Sequence, residues 1–266
     1  MTDLPEHPTP RGVTIYYWPC SLVLLAPALI LDRPTGPLSA TVRIACNEPY
    51  TIEVGDQKLI TRASIVAPKA ERRRILAQNS DIALFYLPLD MPEYSGVRTW
   101  LGDRTLVDLP LEPFAHLLPD IRRAMSEVVQ PSEIKKLVQH VVEAITDRPM
   151  DSIPEDPRVS AARDVLDQMP LSEVRLETVA QHVHLSASRL RDLFRQQTGF
   201  TIGEYARWRA VWRAALLWKR GLTITQVAEE AGFHDLAHLD RAFNQIFGVN
   251  PSTIIDRRFV TLVNCE

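Results

Sequence analysis

The sequence predicts an α+β protein in two parts: an N-terminal β barrel or sandwich carrying two helices, then an all-α C-terminal domain. Three observations carry that prediction. The first ninety residues are short apolar runs cut by Pro, Gly, Asn and Asp. The chain beyond residue 157 has helical periodicity almost throughout. Between the two parts lies DRPMDSIPEDP, residues 147–157, with three prolines and four acids in eleven residues. Such a segment reads as a linker. The expected division is therefore 1–146, a linker at 147–157, and 158–256.

A chain of 266 residues that is 45% hydrophobic and 24% charged suits two ordinary globular domains. It contains no run of ~18 uncharged apolar residues, so no membrane span is expected. Its polar, Pro-rich start lacks the order of a signal peptide. Cys20, Cys46 and Cys265 are odd in number and far apart, which fits reduced thiols in a cytoplasmic protein. The net charge of −3 argues against a protein that coats nucleic acid everywhere. Residues 157–266 nevertheless carry +2 and the remainder −5, so phosphate contacts belong to the C-terminal part.

Strands are expected in the runs at 14–19, 22–27, 40–49, 50–56, 63–68 and 82–90, with Gly55-Asp56 as a hairpin turn. This spacing suggests a sandwich or small barrel. After Pro92 the pattern turns helical. Leu117, Ile121 and Met125 form one stripe in 113–128; Leu137, Val138, Val141, Val142 and Ile145 form a second in 131–147, which Pro131 opens. The stripes could cover the β core or form a dimer seam. The triplet Arg72, Arg73 and Arg74 is a candidate anion contact, though a solvated run beside Glu71 is the preferred reading. The seven histidines are spread out, with only His7 in the first hundred residues, so neither a metal nor a cofactor is expected.

Helices are expected at 158–168, 175–183, 187–197, 203–219, 224–231 and 236–247, with Gly199, Gly221 and Gly248 following three of them. Two stretches repeat one design: LETVAQHVHLSASRLRDLFRQQTG (176–199) and ITQVAEEAGFHDLAHLDRAFNQIFG (224–248). Each has a short helix with a Val-Ala pair (Val179-Ala180, Val227-Ala228), a tight corner, and a second helix ending in Phe and Gly. The small Ala lets two helices cross closely, and Leu185 or Phe233 plugs the corner. Ser186 or Asp235 caps the next helix. These are helix-turn-helix units at 176–197 and 224–247, in which the second helix enters the major groove. On the first such helix Leu190, Leu193 and Phe194 point inward; on the second, Leu239, Ala242, Phe243, Ile246 and Phe247 do.

The region 158–256 resembles the DNA-binding domain of the AraC/XylS family. The family's second-unit pattern is met by Ile224, Val227, Ala228, Gly232, Phe233, Asp235, Leu239, Arg241, Phe243, Gly248 and Pro251. The resemblance implies a sequence-specific transcription regulator rather than an enzyme, bound to double-stranded operator DNA. DNA contacts are expected from Ser186, Ala187, Ser188, Arg189, Arg191, Asp192 and Arg195 in the first unit. In the second they are expected from Leu236, Ala237, His238, Arg241 and Gln245. Arg suits the task because it pairs bidentately with guanine or clamps a phosphate. Leu236 and Ala237 stand where polar base readers are common, and Asp192 where a base would be more comfortable. The N-terminal strands look like the cupin-like sensing domain of this family. That implies an unknown small-molecule effector or regulatory protein, a homodimer, and RNA polymerase as a further partner. The alternative is a cupin-like enzyme with a helical appendage. His182 and His184 read as buried or capping, and the tryptophans of the linking helix, Trp208, Trp212 and Trp218, as packing between subdomains.

Overall fold

The computed structural model describes residues 12–150, 154–217, 222–254 and 258–265. The predicted turn glycine Gly221 and Trp218 lie outside the described residues, as does part of the linker. The N-terminal strands are β1 (Val13–Trp18), β2 (Ser21–Ala26), β3 (Leu29–Leu31), β4 (Ala40–Ala45), β5 (Tyr50–Val54), β6 (Gln57–Thr61), β7 (Ala63–Val66), β8 (Arg72–Ala77), β9 (Ile82–Leu87) and β10 (Leu106–Asp108). One more strand, β11 (Val260–Asn264), comes from the far end of the chain. They form a seven-stranded sheet in the order β10-β7-β4-β9-β2-β1-β11 and a four-stranded sheet in the order β3-β8-β5-β6. All six strand-like runs are strands. The short or polar ones, β3, β6, β8 and β10, carried too weak an alternation to be foreseen. Gly55 makes the β5–β6 turn at φ 53°, as expected.

Side chains alternate across the large sheet. On β9, Ile82, Leu84 and Tyr86 join the core that faces the small sheet, while Ala83, Phe85 and Leu87 join the core on the other face. Burial on both sides explains why IALFYL is continuously apolar rather than alternating. The second face is covered by α1 (Ser95–Leu101), α2 (Leu118–Ser126) and α3 (Pro131–Thr146). The short α1 was not anticipated. Helix α3 starts at Pro131 behind a capping box formed by Gln130 and Glu133. Ile134, Leu137, Val138, Val141, Val142 and Ile145 are all buried on it. The apolar stripes therefore cover the sheet within one protomer, which overturns the dimer-seam alternative for these faces.

The C-terminal helices are α4 (Pro157–Gln168), α5 (Leu176–His182), α6 (Ala187–Thr198), α7 (Ile202–Leu217), α8 (Ile224–Glu230), α9 (Leu236–Phe247) and α10 (Pro251–Ile254). The first six match the periodicity to within two residues, and the short α10 was not expected. A linker at 147–157 suggests two separately packed parts, and here the structure differs. One continuous core joins Ile15, Leu22, Leu84 and Tyr86 of the large sheet to Trp208, Trp212, Phe243 and Ile246 of the helices. The Tyr86 and Phe247 rings lie 5.9 Å apart. Arg163 of α4 is buried against Asp90 (3.3 Å) and Glu155 (2.9 Å). After α10 the chain returns to the sheet, where β11 pairs with β1 in parallel, Val13 opposite Val260. All other strand pairs are antiparallel.

Candidate nucleic-acid interface

The two helix-turn-helix corners are built alike. In the first, Leu185 N donates to Ala180 O at 2.9 Å and His184 N to Gln181 O at 3.2 Å. In the second, Phe233 N donates to Ala228 O at 2.9 Å and Gly232 N to Glu229 O at 2.9 Å. Both corners turn through a left-handed residue, His184 at φ 54° and Gly232 at φ 87°. The expectation of buried histidines is corrected here, while the capping alternative fits His182. His184 is an exposed corner residue, and His182 is exposed with its ring nitrogen 2.8 Å from Thr178 O.

The caps are those foreseen. Ser186 Oγ accepts from Arg189 N at 3.3 Å, and Asp235 Oδ1 accepts from His238 N at 2.6 Å. That bond to the His238 amide, with His234 beside it, holds the Asp235 carboxyl below its ordinary range. Gly199 and Gly248 end α6 and α9 at φ 79° and 76°. Buried side chains pin each reading helix from below: Leu190, Leu193 and Phe194 on α6, and Leu239, Ala242, Phe243 and Ile246 on α9.

The outward residues fall on one face of each helix. On α6 and its cap, Ser186, Ser188, Arg189, Arg191, Asp192 and Arg195 are exposed and Ala187 is half-buried. On α9, Ala237, Arg241 and Gln245 are exposed. Leu236 and His238 are only half-exposed. Leu236 packs onto the core, and the His238 ring stands edge-on to Phe233 at 5.1 Å. The two are partly committed to holding the corner.

Helix α7 separates the units and is anchored on several sides. Arg209 bonds Asp167 of α4 at 2.7 Å and Cys20 Sγ at 2.7 Å. Burial, opposed by Arg209, pushes the Cys20 thiol up to about 12. Trp208 and Trp212 stack edge-on at 5.5 Å and both meet Phe247. They pack as expected rather than standing free for bases.

Sequence reasoning missed how the N-terminal part grips both reading helices by their C-terminal ends. Arg98 of α1 donates to Gln196 O at 3.0 Å and to Gln197 O, and Lys69 Nζ to Gly199 O at 3.2 Å. These cations meet the carbonyl end of α6, where the helix dipole favours them. At the end of α9, Gly36 N donates to Gln245 O at 2.8 Å, and a Cβ on Gly248 would lie 2.7 Å from the Thr35 methyl. Such long-range contacts leave no local pattern in the chain.

Between the sheet and the helices lies a cavity of about 160 Å³. Ile15, Leu24, Leu84 and Tyr86 line it from the sheet, Trp212, Phe243 and Phe247 from the helices, and Val260 and Leu262 from β11. It touches the second unit directly and the first not at all. Among the described residues no group of three or more His, Cys, Asp or Glu is placed to hold a metal, and no helix is long and apolar enough to cross a membrane.

Residues 179–257 match a family model described as "Helix-turn-helix domain". The arabinose operon regulatory protein of Escherichia coli is 33% identical over 132 residues, 48% of this chain and 44% of that protein. The HTH-type transcriptional activator RhaR of Pectobacterium atrosepticum is 37% identical over 84 residues, 31% of this chain and 30% of that protein. The chain thus spans less than half the length of each of these curated relatives. Across almost its whole length the fold is that of ToxT from Vibrio cholerae. The structure of ToxT from strain O395 superposes with TM-score 0.54 at 12% identity over 87% of this chain and 96% of that one. An unsaturated-fatty-acid-bound wild-type ToxT gives TM-score 0.54 at 13% identity, over 88% of this chain and 94% of that one. With two matching corners and two exposed polar faces, residues 179–257 form a helix-turn-helix domain, and this C-terminal part of the chain is similar to that of the arabinose and RhaR regulators.

Proposed function

We propose that this chain is a sequence-specific, DNA-binding transcription regulator acting in the cytoplasm, in which α6 and α9 of one protomer enter successive major grooves. The observation that carries the proposal is the pair of equivalent corners, each leaving the polar face of its second helix exposed. Contacts are assigned to Ser186, Ala187, Ser188, Arg189, Arg191, Asp192 and Arg195, and to Ala237, Arg241 and Gln245. Leu236 and His238 are assigned chiefly to supporting the corner. Arg supplies the bidentate or phosphate bonds. The chain does no chemistry on this reading, and RNA polymerase is its partner at the promoter. Operator selection followed by gel-shift titration tests this. Sequence-specific binding that fails when the α6 arginines or Arg241 are replaced by Ala supports it; equal affinity for all sequences contradicts it.

The same reading makes the N-terminal domain a cupin-like sensor whose effector is an apolar small molecule in the cavity between sheet and helices. The lining supports this: aliphatic and aromatic groups dominate, and a void of this size accepts a molecule about as large as one aromatic ring. The fatty acid held by ToxT is a second support. An effector there would bias the second unit, because Phe243 and Phe247 belong to α9. A homodimer completes the proposal. With the α2 and α3 stripes turned inward, its contact must come from other surfaces, and sedimentation with and without DNA tests it.

A further inference from the structure

Two arginines lie inside the sandwich, and among the described residues neither forms an ion pair with an acid. Arg43 on β4 is 0% exposed, and Arg72 on β8, from the opposite sheet, is 2% exposed. Only Arg73 and Arg74 behave as the solvated run expected of the triplet; Arg72 turns inward, next to a bulge in the β5–β8 pairing. Arg43 Nη1 donates to Thr41 O at 3.2 Å, and its Nε and Nη2 have no partner. Arg72 Nη2 makes a long bond of 3.4 Å to Ser39 O, the Arg72 side chain also donates to the Tyr86 hydroxyl, and its Nε has no partner. Ser39 Oγ and Thr41 Oγ1, on the same stretch of chain, are also unpartnered.

The groups that act electrostatically on Arg43 are Tyr50 and Tyr86; those on Arg72 are Arg43 and Tyr86. Burial, with Arg43 adding to it, draws Arg72 down from the ordinary arginine range, and burial lowers Arg43 too, yet a guanidinium keeps its proton in proteins. Two like charges therefore share an apolar interior. Buried charges are ordinarily paired, because desolvation is costly and a lone charge has nothing to offset it. The unpartnered guanidinium nitrogens can only donate, so the group that complements them is an acceptor bearing negative charge. Water supplies an acceptor without the charge. A carboxylate supplies both, and its planar fork matches a guanidinium.

We infer that Arg43 and Arg72, with the Ser39 and Thr41 hydroxyls, form an anion-binding site inside the sandwich that takes a compact, singly charged anion. The shared chemistry is a monovalent acceptor of several N–H and O–H bonds, either a free halide or the carboxylate of a small organic acid. The site is separate from the DNA-reading faces. It lies behind Tyr86, whose ring is 5.9 Å from the Arg72 guanidinium and 5.9 Å from Phe247 of α9. An anion that fixes Arg72 thus steadies the wall against which the second unit packs.

The test is thermal unfolding of the full chain in sodium chloride, formate, acetate or phosphate, with sodium gluconate as the ionic-strength control. A ligand bound only by the folded state raises the melting temperature in step with its concentration over Kd. The expected result is a saturable rise in formate and acetate, or in chloride, over the millimolar range, with none in gluconate. A carboxylate-selective rise identifies an organic acid, and a chloride-selective rise a halide. Arg72→Met should lose the response, and in gluconate it should melt no lower than the unaltered chain, because removing one buried charge relieves the other. Arg43→Lys, which keeps the charge, should shift the response to higher concentration. Should Arg72→Met fail to fold, broadening of the chloride-35 resonance by the unaltered chain, reversed by formate, gives the same reading. Coincident melting curves in all five salts, or equal responses from Arg72→Met and the unaltered chain, overturn the site.

Discussion

The two helix-turn-helix units share a design but differ in what they expose and in what they pack against. The first presents three exposed arginines, Arg189, Arg191 and Arg195, around Asp192; the second presents Arg241 alone among its exposed predicted contacts. Conversely, α9 contributes Phe243 and Phe247 to the interdomain cavity, while α6 packs into a separate core with Val159, Leu166 and Phe200. The first unit is the better charged and the second the better connected. Duplicated architecture therefore does not imply duplicated work: one unit is suited to hold phosphate, the other to report what happens in the N-terminal domain.

The largest expected effect comes from the equivalent phenylalanines Phe194 and Phe243. Both are buried, so Phe194→Ala and Phe243→Ala should each cost about 3–5 kcal/mol in chemical denaturation. They should differ in a second readout. Phe243→Ala changes binding of an apolar dye to the cavity, and Phe194→Ala leaves it unaltered. Equal effects on dye binding would break the comparison.

The corners come next. A Cβ on Gly232 would lie 2.6 Å from Leu171 N, at a positive φ, so Gly232→Ala should destabilise by about 2 kcal/mol or more. His184 adopts a similar conformation without that contact. His184→Gly should be neutral or stabilising by up to ~1 kcal/mol, since only backbone strain is relieved against added chain entropy. Denaturant midpoints distinguish the two. A loss in both would mean that His184 holds something the geometry does not show.

Charge separates the units in salt titrations. Replacing Arg189, Arg191 and Arg195 together should lower the slope of log K against log salt by about 2–3, and Arg241→Ala by about 1, at ~0.9 per phosphate contact. A larger change from Arg241 would reverse the assignment. Smallest of all, Ser186→Ala removes an N-cap and should cost about 1 kcal/mol by denaturation, with the fold intact.

Much of this was legible because helix-turn-helix units are local. Val-Ala pairs, caps, αL glycines and buried stripes sit within about 25 residues of one another, so both units and their outward residues could be read directly. The N-terminal part was harder. Its six apolar strands were visible, yet β8 was hidden because Arg72, Arg73 and Arg74 read as surface until the opposite sheet closes over Arg72. The strand β11 was passed over although Val260 to Asn264 is rich in β-formers, because its partner β1 lies some 250 residues away. The linker composition pointed to loosely joined domains. The apolar faces of Trp208, Trp212 and Phe247 instead carry the core across the boundary, and no local pattern says which surface such residues meet.

Hydroxyl-radical footprinting of the full chain on its selected operator tests the central claim most directly. Two protected blocks per protomer, about one helical turn or ~34 Å apart on one face of the duplex, are predicted. The block assigned to α6 should fade when its three arginines are replaced and the other when Arg241 is. A single block per protomer, unchanged by the α6 substitutions, would contradict reading by two units and leave α9 as the sole reader.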